Sequence, residues 1–147
     1  MVGIPETRMG LNETTGLAYP IQTWGIPAVL NDILEEQGAF HRPEPKRVQQ
    51  GLGADDERNR AYLGTYFPRS VIEWGLIWSE LLAHEPVFRR FQTKETITIA
   101  SFGSGTGGDV VGTLYAIHDA RLTPRQVRIY SFDGNADALE KQRAILA

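Results

Sequence analysis

A chain of 147 residues, 41% apolar and 22% charged, is long enough for one self-supporting core and has the balance of an ordinary globular protein. Its net charge of −3, with no concentrated run of Lys or Arg, carries no strong nucleic-acid signature. The absence of cysteine excludes disulfides, thiolate metal sites and cysteine-held iron–sulfur clusters.

His41, His84 and His118 are scattered without close helical spacing, so no metal site is expected. No apolar run approaches the ~20 residues that span a bilayer. Residues 1–10 lack the charged-then-apolar pattern of a secretory signal. A soluble, cytoplasmic protein with no membrane contact is expected.

Residues 1–23 have little periodicity and read as an extended arm, suited to packing, tethering or holding a partner. Residues 28–37 follow as a short helix with Val29, Leu30, Ile33 and Leu34 on one side. The segment His41-Arg42-Pro43-Glu44-Pro45-Lys46-Arg47 is a proline-restricted linker. Residues 55–66 form a second helix capped by Asp55 or Asp56, and Phe67-Pro68 breaks it. Ser70 and Glu73 match a capping box. Val71, Trp74, Leu76, Ile77, Trp78, Leu81 and Leu82 then recur at helical intervals, ending near His84, with Trp74 and Trp78 read as core. Pro86 can start a short turn through Phe91.

The pattern changes at Thr96. Thr96-Ile97-Thr98-Ile99-Ala100-Ser101-Phe102 is β-branched and short, which suits a buried parallel strand. Glycines follow at 103, 105, 107 and 108, and residues 110–120 then have helical character. Thr123-Pro124 marks a turn. Val127-Arg128-Ile129-Tyr130-Ser131-Phe132 is a second strand ending at Asp133, and Asn135 can cap a last helix from Ala136. The expected fold class is α/β. Three stretches are expected: an extended and helical arm over 1–54, a helical lead-in over 55–94 that packs on the sheet, and a first β-α-β-α unit over 95–147.

The glycine loop and the acid after the next strand carry the chemistry. Without a Cβ the backbone bends tightly and lets a ligand approach. The following helix aims unpaired N–H groups at the loop, favouring a negative group. Asp133, at the end of the second strand, can accept hydrogen bonds from both ribose hydroxyls. Gly103, Ser104, Gly105, Thr106, Gly107, Asp109, Asp133, Gly134 and Asn135 are therefore the candidate cofactor-binding residues. For Asp109 a favourable place in the first helical turn is the plainer explanation. For Gly134 and Asn135 it is turn chemistry. Gly103-x-Gly105-x-x-Gly108 also satisfies the dinucleotide fingerprint. The Lys-Ser or Lys-Thr of a phosphate-cradling NTPase loop does not follow the glycines.

Ile99-Ala100-Ser101-Phe102-Gly103-Ser104-Gly105-Thr106-Gly107-Gly108-Asp109 resembles the first motif of class I, Rossmann-like, S-adenosylmethionine-dependent methyltransferases. Phe132-Asp133-Gly134-Asn135-Ala136-Asp137-Ala138-Leu139 is similar to their second. Tyr62-Leu63-Gly64-Thr65-Tyr66-Phe67-Pro68-Arg69 resembles the segment that some members place over the cofactor, where Arg69 could meet a carboxylate. The resemblance covers residues 59–147. It implies a partial Rossmann-like parallel sheet preceded by a helical region, with S-adenosylmethionine as cofactor and the methyl acceptor and any catalytic base unspecified.

Three features depart from the family. Ser101 stands where relatives often carry an acid. Asp133 follows Gly107 by 26 positions, against the ~20 of the usual fingerprint. The family's sheet continues beyond the second strand, and no Asn-Pro-Pro-aromatic or Asp-Pro-Pro-aromatic segment occurs. A fragment, or a piece whose sheet is completed by a partner chain or a second copy, is expected, since open strand edges invite aggregation. Two alternatives share the loop: an NAD(P)-dependent oxidoreductase unit, and a non-catalytic methyltransferase-like scaffold or assembly protein.

Overall fold

A computed structural model of the chain describes residues 26–42 and 55–147. The expected arm over 1–23 and most of the linker, from Pro43 onward, lie outside these residues. Within them the chain is mixed α/β, in the order α1 (Ala28–Glu36), α2 (Asp56–Thr65), α3 (Phe67–Ala83), α4 (Glu85–Gln92), β1 (Thr96–Phe102), α5 (Gly108–Asp119), β2 (Gln126–Phe132) and α6 (Ala136–Leu146). None of the described helices is long and apolar enough to cross a membrane.

Local chemistry sets the helix starts. The Asp55 carboxylate accepts from Arg58 N at 2.8 Å, and Asp56 and Glu57 fill the first turn of α2, where negative charge offsets the unpaired N–H groups. Tyr66 is at once the C-cap of α2 and the N-cap of α3. Pro68 sits in the first turn of α3, where its missing N–H removes no helical bond. The Ser70–Glu73 capping box is thereby corrected. Ser70 N donates to Tyr66 O at 2.9 Å as an interior helical residue, and Glu73 pairs with Arg69 at 2.6 Å on the exposed surface. At the end of the chain, Asn135 caps α6 as its sequence position implied, accepting from Ala138 N at 3.2 Å.

β1 and β2 pair in parallel with Thr96 opposite Gln126 and Phe102 opposite Phe132, so the strands end level. Gly103 N and Ser104 N both donate to Phe132 O, at 2.8 and 3.1 Å, which carries the pairing into the loop. Burial alternates along the sheet. Ile97 and Ser101 are buried, whereas Thr98, Ala100 and Phe102 of β1 and Arg128, Tyr130 and Phe132 of β2 are exposed. The expectation of a strand buried on both faces is corrected: a parallel strand is doubly buried only where helices cover both sides, and one face of this pair lies open.

Two apolar clusters support the sheet. One joins Leu30 and Leu34 of α1 to Leu63, Phe67, Val71, Val111 and Ile145; the other joins Leu82, Ile97, Ala116, Ile117 and Leu122. The stripe expected on α1 is rotated, since Leu30 and Leu34 are buried but Val29 is 63% exposed. Trp78 packs on the second cluster, edge-on to Phe91 at 6.1 Å. Trp74, read as core from its spacing, is instead 42% exposed, because α3 turns its first-turn residues and Val71 toward the core.

α3 and α5 make the most extensive helix–helix contact. It depends on glycine at one crossing point. A Cβ on Gly112 would lie 2.3 Å from Val71 O and 2.9 Å from Gly75 N, whereas one on Gly75 would meet Gly112 O at an ordinary 3.6 Å. Gly112→Ala should therefore destabilise the chain by about 1–3 kcal/mol or more through overpacking. Gly75→Ala should be neutral or stabilising by up to about 1 kcal/mol through helix propensity. Chemical denaturation of the two variants, compared with the unaltered chain, tests this contrast.

Candidate functional site

The site begins where β1 ends. Gly103, Gly105 and Gly107 have φ of 70°, 51° and 83°, in the left-handed region that favours glycine, and together they coil the loop. Gly107 N donates to Ser104 O at 2.8 Å inside this coil. The four loop glycines serve two different sides. A Cβ on Gly103 would meet nothing within 4 Å, and one on Gly105 only a Tyr62 ring carbon at 4.0 Å. On Gly107 it would strike the Gln142 side chain at 2.5 Å, and on Gly108 it would strike Ser70 Cβ at 2.7 Å and Phe67 O at 2.8 Å. Gly103 and Gly105 thus leave room outside the loop, while Gly107 and Gly108 let helices close beneath it.

Asp133 reaches this loop from the end of β2. Its Oδ2 accepts from Gly105 N at 2.7 Å and its Oδ1 from Asn135 N at 2.7 Å. An ionised carboxylate has about four acceptor sites, so the two bonds hold the side chain in place while leaving acceptor capacity. Asn135 is turned inward. It caps α6 and donates through Nδ2 to Asn59 Oδ1 at 2.9 Å, tying the β2–α6 turn to α2. Gly134, between them, is exposed.

Asp109 lies in the first turn of α5, and Gly107, the N-cap, supplies no side-chain acceptor there. Ser101 Oγ donates to Asp109 Oδ2, and Thr113 Oγ1 to Asp109 O at 2.8 Å. A carboxylate therefore stands beside Ser101 even though residue 101 is not acidic. Ser104 and Thr106 are buried, with Ser104 Oγ donating to Gln142 Oε1 at 3.2 Å. Phe102 and Phe132 stack face to face at 5.0 Å on the open side of the strand ends.

Tyr62 of α2 stands over the loop. Partial burial, then the negative charges of Asp133, Tyr66 and Asp109, push its phenol above the ordinary tyrosine range. The nine candidate residues thus gather around one loop and one turn: Gly103 and Gly134 are exposed, Gly105, Asp109 and Asp133 are half-buried, and Ser104, Thr106, Gly107 and Asn135 are buried. Arg69, on the same lead-in segment, pairs instead with Glu73 at 2.6 Å on the exposed surface. Sequence reasoning missed Asn59 and Gln142. For Gln142 a signal existed: Ala138, Gln142 and Ile145 form the buried stripe of α6, and an amide in such a stripe needs partners.

Beside the loop, a groove of about 470 Å³ runs along β1, lined by every residue from Ile97 to Phe102, by Trp74 and Trp78 of α3, and by Asp109 at one end.

Tyrosine titration followed in the ultraviolet should show Tyr62 ionising above the usual midpoint of about 10, and Asp133→Asn should lower its value. Because the folded-state value is raised, stability is full below pH ~10 and falls as pH rises from there through the folded value. Tyr62→Phe should remove that part of the loss.

No protein-family model, curated protein or solved structure matches this chain.

Proposed function

We propose that this chain carries the cofactor-binding part of a Rossmann-like, S-adenosylmethionine-dependent methyltransferase. The observation that carries the reading is the meeting of the Asp133 carboxylate with the glycine loop, 2.7 Å from Gly105 N, at the level ends of two parallel strands. Ligands of open parallel sheets bind at such carboxyl ends.

The residues fit an adenosine-bearing sulfonium. Gly103 and Gly105 leave space where a Cβ would otherwise stand, and Tyr62 borders that space. Asp133 retains acceptors for ribose hydroxyls. The N-terminus of α5 offers N–H donors to a carboxylate. Asp109, bonded to Ser101, supplies the acid that relatives place on the strand itself and suits a cationic amino group. When bound, S-adenosylmethionine supplies an activated methyl group. The part played by this chain is to hold and orient it, a proximity effect. No general base is assigned, and the acceptor is left open. A strand added along β1, from a partner chain or a second copy, belongs to the same reading, because a free strand edge presents unpaired backbone groups.

Calorimetry on the full chain should show binding of S-adenosylmethionine and of its demethylated product, S-adenosylhomocysteine. Asp133→Ala should weaken both by about 10- to 100-fold, the cost of losing charge-assisted hydrogen bonds. Binding of NADH without S-adenosylhomocysteine would replace the proposal with the oxidoreductase reading. Binding of neither would leave the scaffold reading.

A further inference from the structure

The inward face of α6 contains one residue whose chemistry neither the apolar core nor the ligand reading uses. Ala138, Gln142 and Ile145 form its buried stripe, and Gln142 is 3% exposed. A buried amide costs free energy unless it is bonded. Both ends of this one are bonded, and both bonds lead to the site. Its Oε1 accepts from Ser104 Oγ at 3.2 Å, in the middle of the glycine loop. Its Nε2 donates to Ser131 Oγ at 2.8 Å, on β2 two residues before Asp133. The same side chain fills the space under Gly107, where a Cβ would lie 2.5 Å from Gln142 Cγ and 2.7 Å from Nε2.

We infer that Gln142 is a positioning residue that sets the glycine loop against β2, so that Gly105 N and the Asp133 carboxylate meet. The inference rests on the adenosine-binding reading for its ligand, but not for its geometry. One side chain spans the two chain segments that the Gly105–Asp133 bond also joins, packed against Gly107. The amide explains two sequence features together. Position 107 has to be glycine both for its left-handed φ and because Gln142 occupies the space beneath it. Position 104 has to offer a hydroxyl because the loop bends over a buried acceptor.

Methionine matches glutamine in length and bulk but lacks the amide, so Gln142→Met removes the bonds while keeping the packing. Ser131→Ala removes only one arm. Amide hydrogen exchange on the full chain should rise by about tenfold or more at Gly105 and Gly107 in Gln142→Met, and by less in Ser131→Ala, while Ile97 and Ile99 of β1 keep their protection. Affinity for S-adenosylhomocysteine, measured on the same samples, should fall by about tenfold in Gln142→Met. Unchanged loop exchange, or a rise shared equally by β1, would reduce Gln142 to a core residue and overturn the inference, as would a loosened loop that binds the ligand with native affinity. If the unaltered chain binds no S-adenosylhomocysteine, the adenosine reading falls, and the exchange pattern alone decides the role of Gln142.

Discussion

One carboxylate ties together the two chain segments from which the proposed site is built. Asp133 joins the loop after β1 to the turn after β2 through two backbone N–H groups, those of Gly105 and Asn135. Hydrogen bonds to a charged acceptor are roughly twice as strong as neutral ones, and these two involve groups on either side of a crossover helix. Without them, among the described residues, the hydrogen bonds from the glycine loop to the rest of the fold would be those of Gly103 and Ser104 to Phe132 O and of Ser104 to Gln142. With them, Asp133 is held both against the loop at Gly105 and against the turn at Asn135.

The helices before the sheet hold that arrangement from outside. Asn59 of α2 receives the Asn135 amide, and Asp56 at the start of α2 pairs with Lys141 of α6 at 2.9 Å. Tyr62, one turn along from Asn59, reaches the loop. α3 continues from α2 through the shared residue Tyr66 and locks onto α5 at Gly112, which fixes the helix whose first turn carries Asp109. Sheet ends, lead-in helices and glycine loop are therefore one mechanical unit, and the residues that would touch a ligand come from α2, the loop, α5 and the β2–α6 turn.

Much of this is legible in the sequence alone. The β-branched runs at residues 96–102 and 127–132, with glycines after the first and an acid after the second, announce parallel strands joined by a helix. The Asn135 cap was readable for the same local reason, a short side-chain acceptor just before a helical stretch. What failed depended on tertiary context. Ser70 and Glu73 have capping-box spacing, but Pro68 fits the first turn so well that the helix starts earlier. Trp74 and Val29 have core spacing, but apolar residues surround much of α3 and part of α1, so periodicity does not say which side faces inward. The open face of β1 could not be read from a strand whose composition suits burial on both sides. The roles of Gln142 and Asn59 required knowing which distant residues lie opposite them.

In the proposed function, a ribose sits against Asp133 and beside Gly105. The most direct measurement is an NMR structure-restraint experiment on the isotopically labelled full chain with S-adenosylhomocysteine, recording contacts between ligand and protein protons. Contacts are expected from the ribose protons to the Asp133 methylene and to the amides of Gly103 and Gly105, and from the adjoining ligand protons to the Tyr62 ring. Ribose contacts located elsewhere, with the Gly105 and Asp133 resonances unmoved at saturation, would contradict it.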